Sequence, residues 1–316
     1  MTEDHGDGRR LVVSASEFRA LFDALSTWGR WGETDVRGAL HYLSSARVVA
    51  AAGLVRAGRT ITLSFPLNTQ AAAHNSKPAV HYMTMLPHGD ADSGSLRFAM
   101  DYVGVDYHSD THSHIDALCH VAFDGSLYNG RPSAQVTSEG AGVASIEVLK
   151  DGLVGRGVLL DIPRLRGVPW LEPGEHIFGD ELEAAELEQG VTVGQGDILL
   201  IRTGHARRLA ELGPWKTAGA KAGLHPTAMP FVAERRVAAL GSDGNSDTAP
   251  TTTEGVAFPI HVLAINAMGV HLLDYLQLED LRLVCEASGR WEFLFVSAPL
   301  RIVGGTGSPV NPIAIM

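Results

Sequence analysis

Within the stretch DYHSDTHSHIDALCHVAFDG, residues 106–125, four histidines and two aspartates crowd between positions 108 and 120: His108, Asp110, His112, His114, Asp116 and His120. The whole chain has 14 histidines in 316 residues, so the window is strongly enriched. All six residues fall on even positions, which share one face of an extended strand. His108, His112, Asp116 and His120 also lie four apart, which would share one face of a helix. Either conformation makes several of these side chains converge. Protonated imidazoles packed together repel, and buried carboxylates are costly when unpaired. A divalent cation removes both difficulties, because it takes neutral imidazole nitrogen and carboxylate oxygen as ligands and supplies the missing positive charge. A ligand set without thiolate suits Zn²⁺, Mn²⁺ or Fe²⁺ better than a cysteine-rich structural zinc site. The plainer reading of such a segment is a surface or pH-sensitive turn, which this density of convergent ligands disfavours. Cys119 stands next to His120, but its apolar neighbours Leu118 and Val121 point to a buried, inert thiol rather than a nucleophile.

The elements that must position these residues read as follows. Residues 1–10 have the texture of a flexible tail. Ser14 and Glu17 stand at capping-box spacing ahead of Phe18, Leu21, Phe22 and Leu25, which predicts a helix. Trp28 and Trp31 follow, as core residues or as the rim of a site. TITLSFPL, VHYMTML and LRFAMDYVGV, between residues 60 and 105, predict short strands, being rich in β-branched and aromatic residues. GVLLDI (157–162) and DILLIRTG (197–204) read as buried strands. An acidic helix opens at Asp180 and Glu183, a second helix spans Thr227 to Arg236, and a strand follows over 237–243. A helix near 260–268, a strand over 270–276, a helix over 278–287 and a long final strand over 291–303 complete the chain. Strands and helices alternate in the second half, so the reading is one mixed α/β domain. An N-terminal helical extension occupies residues 1–58 and the main domain residues 59–316. No internal repeat or low-complexity linker interrupts it.

A net charge of −11, with no basic run, argues against nucleic acid or an acidic membrane as partner. There is no run of about 20 apolar residues, so no membrane-spanning helix is expected. The polar start MTEDHGDGRR lacks the apolar core of a signal peptide. The two cysteines, Cys119 and Cys285, read as free thiols. The expectation is a soluble, cytoplasmic protein acting on a small molecule.

His114-Ile-Asp116-Ala-Leu-Cys-His120 resembles the H-x-D-x-x-x-H core of the metal-dependent cyclase-like hydrolases, a family that includes bacterial kynurenine formamidase and isatin hydrolase. The family pattern is H-x-G-T-H-x-D-x-P-x-H. In that register Asp110 replaces the first His, His112 the Gly, Ser113 the Thr and Leu118 the Pro, as in a longer-chain branch of the family. Further resemblance runs in order along residues 60 to 303: Phe123-Asp124-Gly125 with Tyr128-Asn129-Gly130, then Gly196 to Gly204, Ala239 to Asp243, Phe258-Pro259-Ile260-His261, and Leu272-Leu273-Asp274 where the family has a glutamate. The resemblance implies a swivelling β/β/α-type fold, a mixed sheet packed against helices. It implies a divalent metal, Mn²⁺ or Zn²⁺, held by His112, His114, Asp116, His261 and Asp274, with Asp110 or His108 as alternatives to His112 and a structural role as the alternative for Asp274. It implies His120 as the proton shuttle of a hydrolase that opens an amide, cyclic amide, lactone or ester. Trp28, Trp31, Phe123 and Tyr128 offer aromatic surface for a planar substrate, and Arg202 is either a partner for a substrate carboxylate or structural. A non-hydrolytic cyclase or dehydratase, or a metal-binding homologue without catalysis, are the other readings. Family members usually form homodimers or larger homo-oligomers, for which the long apolar final strand is a candidate interface.

Overall fold

The computed structural model describes residues 11–88 and 96–316; the tail expected over residues 1–10 lies outside the described residues. Four parallel strands form the centre: β5 (Leu153–Asp161), β6 (Ile198–Arg202), β7 (Ala239–Ser242) and β8 (His271–Asp274). Their order in space is their order in the chain. Parallel strands need crossovers, and helices supply them: Gly179–Gln189 between β5 and β6, His205–Leu212 and Met229–Glu234 between β6 and β7. Every residue of β6, β7 and β8 is buried, which is why these segments read as unbroken apolar runs.

Antiparallel strands extend the sheet on both sides. On one side β9 (Glu292–Ser297) pairs with β5, β11 (Ile313–Ile315) with β9, and β1 (Thr60–Thr62) with β11. On the other, β4 (His114–Asp116) pairs with β8, and β10 (Gly307–Pro309) with β4. The result is a nine-stranded mixed sheet packed against helices, the fold class expected from the sequence. β4 resolves the choice between strand and helix in the histidine-rich stretch: the ligating part is extended, and His114 and Asp116 share a face.

The helix Ala15–Leu25 forms where the capping box predicted it. Glu17 N donates to Ser14 Oγ at 3.3 Å, Ser14 N donates to Glu17 Oε2 at 2.9 Å, and Phe18, Phe22 and Leu25 are buried in the common core. The helix predicted over Thr227–Arg236 begins as a 3₁₀ turn, Pro226–Ala228, and becomes α-helical at Met229 because Pro230 has no N–H to continue an earlier turn. The helix expected near 260–268 is a short α-turn, Pro259–His261, running into a π-helical turn, Val262–Ala267. The long final strand over 291–303 is shorter than predicted. It ends at Ser297, ahead of Pro299, and the strands β10 and β11 beyond it carry too few apolar alternations to be read from the sequence. β9 lies inside the sheet between β5 and β11, so neither of its edges is free to pair with another strand.

β2 (Val80–Met85) and β3 (Met100–Gly104) form a separate two-stranded ribbon. Tyr82, Met83, Met85, Met100, Tyr102 and Val103 on it are all exposed.

Glycine in the sheet centre makes close packing possible. A Cβ on Gly157 in β5 would stand 2.2 Å from Cε2 of Phe293, whose ring is fully buried in β9. Gly157→Ala is therefore expected to destabilise the protein by about 1–3 kcal/mol through overpacking. Thermal denaturation should show a clear drop in Tm; an unchanged Tm would mean that the ring has room to yield.

Candidate metal centre

The C-terminal ends of parallel strands are where α/β sheets place their sites. Here β7 ends in a loop carrying Asp243 and residues 245–247, and β8 ends at Asp274. β4, running antiparallel beside β8, sets His114 opposite Asp274 in register. Residues far apart in sequence thus meet at one edge.

Asp116 is the centre of the group. It is completely buried, and neither carboxylate oxygen has a hydrogen-bond partner. Imidazole nitrogens surround it. His108 Nδ1 stands 3.0 Å from Oδ1, outside hydrogen-bonding geometry; His114 Nε2 is 3.6 Å from Oδ1, and His261 Nε2 3.6 Å from Oδ2. His120 stacks on His108, centroids 4.0 Å apart and planes 9° from parallel. Burial alone would raise the Asp116 pKa, but the imidazoles of His120, His108, His114 and His261 outweigh it and hold the carboxyl well below the usual range.

The other ring nitrogens are tied down, which aims the free ones inward. His114 Nδ1 donates to the His112 carbonyl at 2.7 Å. His261 Nδ1 bonds Asp247 Oδ2 at 2.5 Å, and Asp247 also accepts the Ile260 N–H at 2.6 Å and the His261 N–H at 3.1 Å. Asp247 thereby fixes the start of the Pro259–His261 turn and the ring it carries. His108 Nε2 bonds Thr306 Oγ1 at 3.0 Å. Asp274 accepts from Asn245 Nδ2 at 2.9 Å and from Ser246 Oγ at 3.1 Å, and its Oδ2 lies 3.5 Å from His261 Nε2. Burial lowers the pKa of His261, yet the hydrogen bonds to Asp247 and Asp274 outweigh it and raise it well above the ordinary value. The field at His261 Nε2 therefore favours positive charge, whether proton or metal.

Among the described residues, two groups have ligand atoms mutually within 4.8 Å: His108, Asp116 and His120, and His114, Asp116 and Asp274. They share Asp116. Orphaned buried oxygens, inward-facing imidazoles and outer-shell hydrogen bonds together fit a divalent cation. His112 stands apart from both groups. Its ring is buried with both nitrogens unpartnered, and burial lowers its pKa. Asp110 is also elsewhere, bonded to Lys221 and Tyr275. Of the three residues considered for the first ligand, His108 is the one that reaches Asp116.

A cavity of about 630 Å³ opens over the group, lined by His108, His114, His120 and His261 and by Phe123 and Phe258. Of the aromatics expected at the site, only Phe123 lines it. Tyr128 is buried in the core, and Trp28 packs beside it with its indole N–H on the Asn266 carbonyl at 2.7 Å. Trp31 stacks on His41 instead. Arg202 is structural, being almost fully buried against Asp161 at 2.8 Å and Glu279 at 2.7 Å. Cys119 and Cys285 are free and buried, and burial pushes their thiols up to about 11 and about 12. Sequence reasoning missed Asn245, Ser246 and Asp247. The signal was there in Asp243-Gly-Asn-Ser-Asp247, a polar run at the end of a buried strand.

A family described as "Putative cyclase" matches residues 61–247. The crystal structure of a novel cyclase is 33% identical over 93% of this chain and 99% of that one, with a TM-score of 0.85. An isatin hydrolase bound to the product analogue thioisatinate is 20% identical, covering 87% of this chain and 99% of that one, at a TM-score of 0.57. Isatin hydrolase A from Labrenzia aggregata, bound to benzyl benzoate, is 19% identical over 86% and 98%, at 0.59. At such identities the likeness to the two isatin hydrolases is one of fold. A search of curated proteins found no match.

Metal analysis by mass spectrometry after reconstitution with Mn²⁺ or Zn²⁺ tests the centre. Wild type and His112→Ala should retain the cation and Asp116→Asn should lose it. Asp247→Asn should bind it roughly 10–100-fold more weakly, as expected when a ligating histidine loses its orienting carboxylate. Retention by Asp116→Asn equal to wild type would overturn the assignment.

Proposed function

Because this chain belongs to the cyclase family, we propose that it is a metal-dependent hydrolase opening an amide, cyclic amide, lactone or ester of a small carbonyl compound. The observation that carries this reading is Asp116, a fully buried carboxylate with two unpaired oxygens, encircled by imidazoles beneath a substrate-sized cavity. His114, Asp116, His261 and Asp274 would hold the cation, with His108 in the position for which His112 was considered. A bound divalent cation supplies Lewis acidity and makes water a nucleophile at neutral pH.

The protein's own residues do the rest. His120 is the proton carrier. Burial, together with the neighbouring imidazoles, lowers its pKa to about 4 despite the charge of Asp116, so the ring is neutral near pH 7 and can accept a proton. His120 lines the cavity, where it can pass that proton to a leaving nitrogen or oxygen. Its stacking on His108 fixes the plane of the ring. Phe123 and Phe258 give the cavity apolar walls suited to a flat substrate and exclude water from the reacting face.

The exposed apolar ribbon of β2 and β3 supports a homodimer or larger homo-oligomer, since an isolated two-stranded ribbon is marginal in water. Among the described residues no helix is long and apolar enough to cross a membrane.

A panel of aryl esters, lactones and N-acyl anilines, with Mn²⁺ or Zn²⁺, tests the activity. His120→Ala should keep the metal but lose roughly 10²–10⁴ of kcat. Near-native turnover in that variant would remove His120 from the mechanism. Metal binding by the wild type with no turnover of any substrate would favour a binding protein, and loss of water without hydrolysis would favour a dehydratase. Light scattering coupled to size exclusion should give a mass of at least twice 33.7 kDa; a monomer would leave the ribbon without that role.

A further inference from the structure

Lys221 has no part in the metal group, yet it lines the same cavity. Its side chain is 3% exposed. A buried ammonium has three N–H donors to satisfy. One goes to Asp110 Oδ1 at 3.0 Å, and a longer contact of 3.4 Å reaches the Tyr275 hydroxyl. That hydroxyl donates to the same Asp110 oxygen at 2.5 Å, so its lone pair is free to accept from the lysine. Among the described residues the third donor has no partner.

The position of the ammonium is fixed. The Lys221 and Ala249 backbones exchange hydrogen bonds, both 3.0 Å long, and Gly174 N donates to the Lys221 carbonyl. The Phe258 ring stands near both the lysine and a ligating histidine: its centroid is 5.9 Å from Lys221 Nζ and 5.7 Å from the centroid of the His261 ring. The other lysine at the cavity, Lys77, is exposed and engaged by Asp106 at 2.6 Å. The cavity therefore carries imidazoles, the Phe258 ring and the buried Lys221 ammonium in one lining.

We propose that Lys221 is the specificity-determining residue for a carboxylate on the substrate, which it binds from the wall of the cavity that also exposes the metal group. This deepens the hydrolase reading and rests on it for the word substrate. The ligand class is a planar aryl or cyclic carbonyl compound bearing a carboxylate remote from the scissile bond. Asp110 and Tyr275 position the ammonium; the ligand's carboxylate takes its third hydrogen bond.

Binding to metal-free protein separates this proposal from the hydrolase reading, because no turnover and no metal are needed. Isothermal titration calorimetry with sodium benzoate and with benzamide, its neutral counterpart, is the experiment. Wild type should prefer benzoate by roughly ten- to hundredfold, the scale of one hydrogen bond to a charged group. Lys221→Met should abolish that preference, and Lys221→Arg should keep it. Equal binding of the two compounds by wild type overturns the proposal even if the Met variant fails to fold. So does a preference for benzoate that survives in folded Lys221→Met.

Discussion

The structure turns on one carboxylate without a proton donor. Asp116 is fully buried, its two oxygens make no hydrogen bond, and it faces imidazoles from three separate segments. A charge in that position is tolerated only if positive charge stands beside it. Protonated histidines could supply it, but they repel one another. A single cation satisfies the carboxylate and lets the imidazoles be neutral ligands. The remaining polar architecture serves that arrangement, by holding each ring so that its free nitrogen points inward.

The holding groups come from the backbone as much as from side chains. Gly307, opposite Asp116 in the β4–β10 pairing, allows a close approach: a Cβ there would stand 2.5 Å from the Ile115 carbonyl and 2.9 Å from the His108 ring. Gly223 does the same for the far side, where a Cβ would stand 2.5 Å from the Asp247 carbonyl carbon. These two glycines let the segments that carry His108 and Asp247 lie against the sheet. Asp247 in turn closes the first turn of the Pro259–His261 helix and orients its histidine. Site and fold are stabilised by the same contacts.

Much of this was legible in the sequence, for physical reasons. The even spacing of His114 and Asp116 marks one strand face, and the long apolar runs mark strands buried on both faces. The capping box marks the first helix. His261 and Asp274 were legible only through ordered resemblance, since nothing local distinguishes them from core residues. Asn245, Ser246 and Asp247 were passed over because hydrogen-bonding loops look like any polar turn until their partners are known. His112 illustrates the converse limit. It shares the even-position pattern, but the strand begins only at His114, so the alternation that would have aligned its ring does not extend to it. Lys221 had no signal at all, because burial of a single lysine depends wholly on tertiary structure.

The departures from the family pattern are connected. The pattern calls for a histidine where this chain has Asp110. An acid there without a partner would add negative charge beside Asp116 and Asp274. Instead, Asp110 turns to Lys221 and Tyr275, which neutralise it at the cavity wall. Beside Asp116 Oδ1 stands His108, two residues earlier, whose other nitrogen is held by Thr306. The acid at position 110 pairs with a buried ammonium at the cavity wall, while the imidazole near Asp116 Oδ1 comes from position 108. A chain with the usual histidine at position 110 would lack the acid that pairs with Lys221. The altered motif thus leaves an acid–ammonium pair at the cavity wall and an imidazole beside Asp116.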